Sequence, residues 1–217
     1  MLFRSCSYEG GTNGANLSQV ANSYVAVAGE LLGWRAVYAS GIGGTGYTVA
    51  NGAAANLPIN RIPVEVNGKG LDGLVLGFFA QNDPDGQPAA LTAAVTAAVN
   101  AARTGNPGMM IWVLGIGPTP LNTLAAAQAR ENAIASGVAA AGGGSVNAGA
   151  VTQGADPFLY FVAFSTASDG GVINAAAATN GANSVFQNNN VHPNDWGHKK
   201  LGWYVARQIA ATIQSLV

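Results

Sequence analysis

Leu71-Asp72-Gly73-Leu74-Val75-Leu76-Gly77-Phe78-Phe79 decides the fold. A nearly continuous apolar run of this length suits a central strand covered by helices on both faces. Pro88 follows where the first turn of a helix would begin, and Gly105 stands where that helix would stop. Residues 109–114 then read as a fourth strand. Upstream, residues 1–3 are a short first strand, Ser18 caps a helix to residue 32, Gly33 stops it, and residues 35–38 form the second strand. The loop 40–48 holds four glycines, and the weakly patterned stretch to residue 70 accommodates a short helix and a hairpin.

Downstream, residues 121–141 form an Ala-rich helix, and residues 145–151 a fifth strand. Residues 152–190 are irregular and rich in Asn and Gly, a length that points to function. From Asp195 onward, Leu201, Val205, Ile209 and Ile213 recur every fourth residue, one face of a closing helix. Strand and helix alternate throughout, so the class is α/β: a three-layer α/β/α sandwich with a doubly wound parallel sheet of about five strands.

Composition narrows the function. The 217 residues suit a single domain spanning 1–217, burying about 70% of the surface of its unfolded form. Charged residues make up only 9% and the net charge is −1, so no basic field exists to grip nucleic acid or anionic lipid, and neither partner is expected. No apolar stretch reaches the roughly 18 residues of a spanning helix. The single cysteine, Cys6, cannot form an internal disulfide. So short a first strand suggests a piece of a longer chain with flanking domains.

In open α/β sheets, ligands bind beyond the carboxyl ends of the strands. Four segments there carry chemistry: Ser5-Cys6-Ser7-Tyr8-Glu9-Gly10-Gly11, Gly41-Ile42-Gly43-Gly44-Thr45-Gly46, Gln81-Asn82-Asp83, and Val191-His192-Pro193-Asn194-Asp195-Trp196-Gly197-His198. In this order they resemble the four blocks of the SGNH (GDSL-type) hydrolase superfamily, over nearly the whole chain. The resemblance implies the flavodoxin-like SGNH hydrolase fold and a serine esterase acting on O-acyl groups, with no cofactor and no metal.

It also implies residue roles. Ser7 would be the nucleophile, its own N–H, that of Gly44 and the Asn82 amide would form the oxyanion hole, and His192 would act as base and then acid. Two departures stand out. Ser5-Cys6 replaces Gly-Asp in the first block, and Asn189 occupies the position of the triad Asp, three residues before His192. An Asn can accept a hydrogen bond from the imidazole but supplies no charge, and in serine triads this exchange costs about 10⁴ in kcat.

Each residue also has a plainer reading. Ser7 could be a turn serine and Asn82-Asp83-Pro84 an Asx turn. Cys6 reads as a small buried filler, or as the reactive group beside His192. Asp195 reads as the cap of the closing helix, and His198 as packing there or pairing with His192 on a metal, though no Cys or Glu stands near. Trp112 belongs to the core, while Trp196 either walls the substrate site or packs on the sheet.

Two functions remain open on this reading. The first is esterase action on a small-molecule or glycan ester, including O-acetyl carbohydrate. The second is a binding or adhesion module that keeps the fold after losing efficient catalysis, in an extracellular or virion-surface protein such as a phage tail component.

Overall fold

A computed structural model of the chain describes residues 2–3, 23–117, 123–167 and 193–217. Their elements run in the order β1 (Leu2–Phe3), α1 (Tyr24–Leu31), β2 (Tyr38–Ala39), α2 (Pro58–Glu65), β3 (Gly73–Leu76), α3 (Pro88–Gly105), β4 (Met110–Leu114), α4 (Leu124–Ala140), β5 (Gly144–Asn147), β6 (Ala150–Thr152), β7 (Leu159–Val162) and α5 (Asp195–Gln214). One sheet holds all the described strands in the order β2-β1-β3-β4-β7-β5-β6. Five parallel strands, β2 to β7 in that order, make the doubly wound core, and β5 joins its edge in parallel. Only β6 runs antiparallel.

The central strands are buried on both faces because a helix pair covers each side. Leu74 pairs with Ile111 and Val75 with Trp112, and Trp112 pairs in turn with Tyr160. All five are within 2% of full burial. On one side α3 and α4 meet at small residues, where Thr92 Oγ1 donates to the Ala133 carbonyl and Thr96 Oγ1 to that of Gly137. On the other, α1 crosses α5 at Gly202, where a β-carbon would meet Val27 at 2.6 Å. The indole N–H of Trp112 donates to Thr212 Oγ1 at 2.8 Å, tying β4 to α5. The α/β/α architecture inferred above is thus the observed one.

Several boundaries differ for local reasons. Helix α1 begins after Ser23, whose hydroxyl accepts from Ala26 N–H, so Ser23 and not Ser18 is its cap. The second strand is Tyr38–Ala39 rather than residues 35–38. Residues 40–70 contain α2 and a 3₁₀ turn, Ala54–Asn56, and no hairpin. The helix assigned to 121–141 starts at Leu124 behind the Thr123 cap. The fifth strand expected at 145–151 is a hairpin instead, β5 and β6, turning at Ala148-Gly149, both with positive φ. The fifth strand of the parallel core is β7, inside the stretch read as irregular. Asn194, not Asp195, caps α5, its Oδ1 accepting from Gly197 N–H at 2.9 Å.

Candidate functional site

The strand order reverses direction between β1 and β3, which opens a crevice beyond their carboxyl ends. Two of the predicted blocks meet there. After β3, Phe78 adopts a left-handed conformation (φ 53°), unusual for a bulky residue, and turns the chain into the 3₁₀ turn Phe79–Asn82. Edge-to-face contacts with Tyr24 at 5.4 Å and Phe164 at 5.1 Å hold the Phe78 ring in that turn.

The turn delivers Asn82 and Asp83 to the glycine-rich loop after β2. Asn82 Nδ2 donates to the Thr45 carbonyl at 3.0 Å. Since a carbonyl only accepts, this contact fixes the amide orientation and uses one of its two hydrogens. Asn82 is otherwise exposed. The Asp83 carboxylate, which is buried, accepts from Tyr47 N–H at 2.8 Å, Thr48 N–H at 2.7 Å and Thr48 Oγ1 at 2.6 Å. Gly46 lies against it so closely that a β-carbon would sit 2.4 Å from Asp83 Oδ1. Neighbouring Gly44 has φ +69°, a conformation side chains resist, and Asn51 Nδ2 holds its loop by donating to the Gly43 carbonyl at 2.6 Å. Gly44 is exposed, and its N–H engages no acceptor among the described residues.

The Asn82–Thr45 hydrogen bond places Asn82 beside the loop that carries Gly44, whose next residue is Thr45. What the sequence reading missed is the lock beneath it. Asp83 carries the loop-to-loop contacts, so it is more than part of an Asx turn. Replacing Asp83 by Asn puts an amide among three donors. The expected cost is about 2 kcal/mol for the unmet backbone N–H, seen as a fall of about 4–8 °C in the thermal midpoint. An unchanged midpoint would show that the lock is not the carboxylate.

A second layer comes from α4. Arg130 is buried, and its guanidinium donates to the carbonyls of Ala80, Gln81 and Asp83 at 3.2–3.3 Å while pairing with Asp85 at 3.3 Å. It closes the carbonyl side of the turn that bears Asn82. The next residue, Glu131, is fully buried and accepts from the backbone N–H groups of Ile116, Phe164, Ser165 and Thr166 and from the hydroxyls of Ser165 and Thr166. Glu131 thereby fastens the carboxyl ends of β4 and β7 to α4. The available signal was compositional: these are the only two charges on a helix of small and apolar residues in a charge-poor chain.

His198 is buried and accepts from Tyr24 N–H through Nδ1 at 3.3 Å, with the two rings parallel at 6.0 Å. It joins the starts of α1 and α5, packing between helices rather than along its own. Trp112 is core, whereas Trp196 is 45% exposed and does not pack on the sheet. Ser7, Cys6, Asn189 and His192, and with them the nucleophile, base and orienting group of the predicted site, lie outside the described residues. Among the described residues, no three His, Cys, Asp or Glu side chains gather as metal ligands.

No protein-family model and no curated relative matches the chain. Solved structures do. An acetyl esterase, seen as a serine-to-alanine mutant with acetate ion, superposes with a TM-score of 0.63 at 18% identity, covering 100% of this chain and 98% of that one. A carbohydrate esterase family 3 protein from Talaromyces cellulolyticus gives 0.60 at 18% identity, covering 99% and 97%. A carbohydrate esterase family 2 enzyme with a carbohydrate binding domain, from Corynascus thermopiles (Myceliophthora fergusii), gives 0.59 at 18% identity. It is covered over 65% of its length, so this chain spans less than two thirds of it, and 98% of this chain is matched. At these identities the likeness establishes the fold alone, which this chain shares with these esterases.

Proposed function

We propose that the chain is a serine esterase of SGNH type that hydrolyses O-acyl esters, with O-acetyl groups on carbohydrate as the substrate class. The observation that carries this reading is the Gly44–Asn82 pair. It combines two exposed residues, a backbone N–H at Gly44 and an amide at Asn82, on loops tied together by the Asn82–Thr45 and Asp83–Tyr47/Thr48 hydrogen bonds. Preorganised donors of this kind are what a tetrahedral oxyanion needs. The ordered motifs Ser7, Gly44, Asn82 and His192, and the esterases among the solved structures of this fold, support the same reading.

On this reading Ser7 Oγ attacks the ester carbonyl carbon while His192 takes its proton. The negative charge that develops on the carbonyl oxygen is received by the N–H groups of Ser7 and Gly44 and by Asn82 Nδ2. Collapse expels the alcohol, which takes its proton from His192, and leaves an acyl-Ser7 ester. Water, deprotonated by His192, then attacks that ester, and as the acyl–oxygen bond breaks His192 returns the proton to Ser7 Oγ and the carboxylic acid is released. Asn189 orients the imidazole through its side-chain oxygen without adding charge. Trp196, four residues beyond His192, walls the substrate.

The test is intact mass after treatment with an activated fluorophosphonate, followed by peptide mapping. An adduct on Ser7, absent in Ser7→Ala, is the expected result. A folded protein that forms no adduct would sink the esterase reading and favour the fold as a binding module.

A further inference from the structure

The outward face of α5 carries Trp196, Lys200, Trp203 and Arg207, at i, i+4, i+7 and i+11, which makes one stripe about 16 Å long. The opposite face, with Leu201, Val205 and Ile209, is buried on the sheet, so core packing does not explain the outer residues. Trp196 and Trp203 are 45% and 48% exposed. Their rings meet edge to face, 5.4 Å apart at 87°, and Lys200 Nζ lies 5.3 Å above the Trp196 ring. Lys199 adjoins the stripe, and Asp195 in the first turn is the one acid on the helix. Three of the nine basic residues of a chain with net charge −1 thus stand on this one helix.

We propose that this stripe binds an acidic polysaccharide, a glycan whose sugars carry carboxylates, and that such a polymer bears the ester cleaved at Ser7. The second half rests on the esterase reading; the first does not. Indole faces suit the C–H faces of pyranose rings, and the two indoles, in edge-to-face contact, form one exposed aromatic corner against which a sugar can lie. Ammonium groups beside the rings supply what a carboxylate requires. In sequence the stripe begins four residues past His192.

The experiment measures retention on two immobilised polymers without ester groups, polygalacturonate and neutral β-1,4-xylan, at low and high salt. The expected result is binding to polygalacturonate at least about tenfold tighter than to xylan, weakened by salt and weakened about tenfold or more in Trp203→Ala and several-fold in Lys200→Gln. Circular dichroism confirms that the variants fold, which the exposure of Trp203 and the half-buried position of Lys200 favour. Equal retention by Trp203→Ala, preference for xylan, or binding to oligothymidylate or phosphatidylserine vesicles in place of polygalacturonate would overturn the proposal. Hydrolysis of 4-nitrophenyl acetate by the parent protein is read in parallel. Retention without hydrolysis supports the binding surface and counts against the esterase reading, whereas hydrolysis without retention overturns the binding surface alone.

Discussion

Glu131→Gln is expected to lower the thermal midpoint by about 8–16 °C, about twice the effect of Asp83→Asn. Oε1 accepts from Phe164 N–H, Thr166 N–H and Thr166 Oγ1, and Oε2 from Ile116 N–H, Ser165 N–H and Ser165 Oγ. Six donors converge on one carboxylate. An amide turns one of its oxygens into a donor. Whichever oxygen that is, two backbone N–H groups lose their acceptor, while the hydroxyl beside them can rotate and recover. Each orphaned N–H costs about 1–3 kcal/mol, so the pair amounts to about 4 kcal/mol. The site cannot relax outward, because Gly115 packs on the carboxylate so tightly that even a β-carbon would lie 2.6 Å from it. Calorimetry of the folded variant checks the value. A shift below about 2 °C would mean that the ends of β4 and β7 are held by something other than this side chain.

This fastening explains what could and could not be read from the sequence. Helices α3 and α5 were legible because their signals are local: Pro88 and Gly105 bracket the first, and the fourfold spacing of Leu201, Val205 and Ile209 marks the second. Strand β7 was not, since its four apolar residues sit between loops whose Asn and Gly content dominates the window. Gly44 and Asn82 were singled out from short, contiguous motifs. Arg130 and Glu131 were not, because nothing nearby in sequence needs them. Their partners, at residues 80–83, 116 and 164–166, become neighbours only when β3, β4 and β7 lie side by side. Trp196 shows the converse: its type and position were informative, but only the exposed face of α5 decides against the core.

Asn189→Asp is expected to raise the kcat of ester hydrolysis by about 10² or more, the largest activity gain open to a single substitution in the proposed site. As His192 takes the proton of Ser7, an imidazolium forms, and a carboxylate beside it stabilises that charge where an amide cannot. The loss of about 10⁴ when serine triads make the opposite exchange sets the upper bound. On the proposed mechanism Asn189 would act through His192 and not on the substrate, so the gain should fall on kcat and leave KM nearly unchanged. The double variant with Ser7→Ala separates the gain from background: if the charge serves the triad, the double variant loses it. An equal gain in both would place the new carboxylate in direct attack on the ester. No gain, in a protein that still labels at Ser7, would show that the imidazole takes its orientation from another group. No gain with no labelling would leave the preorganised donors of Gly44 and Asn82 holding a ligand oxygen rather than a transition state, which is the binding-module reading in chemical terms.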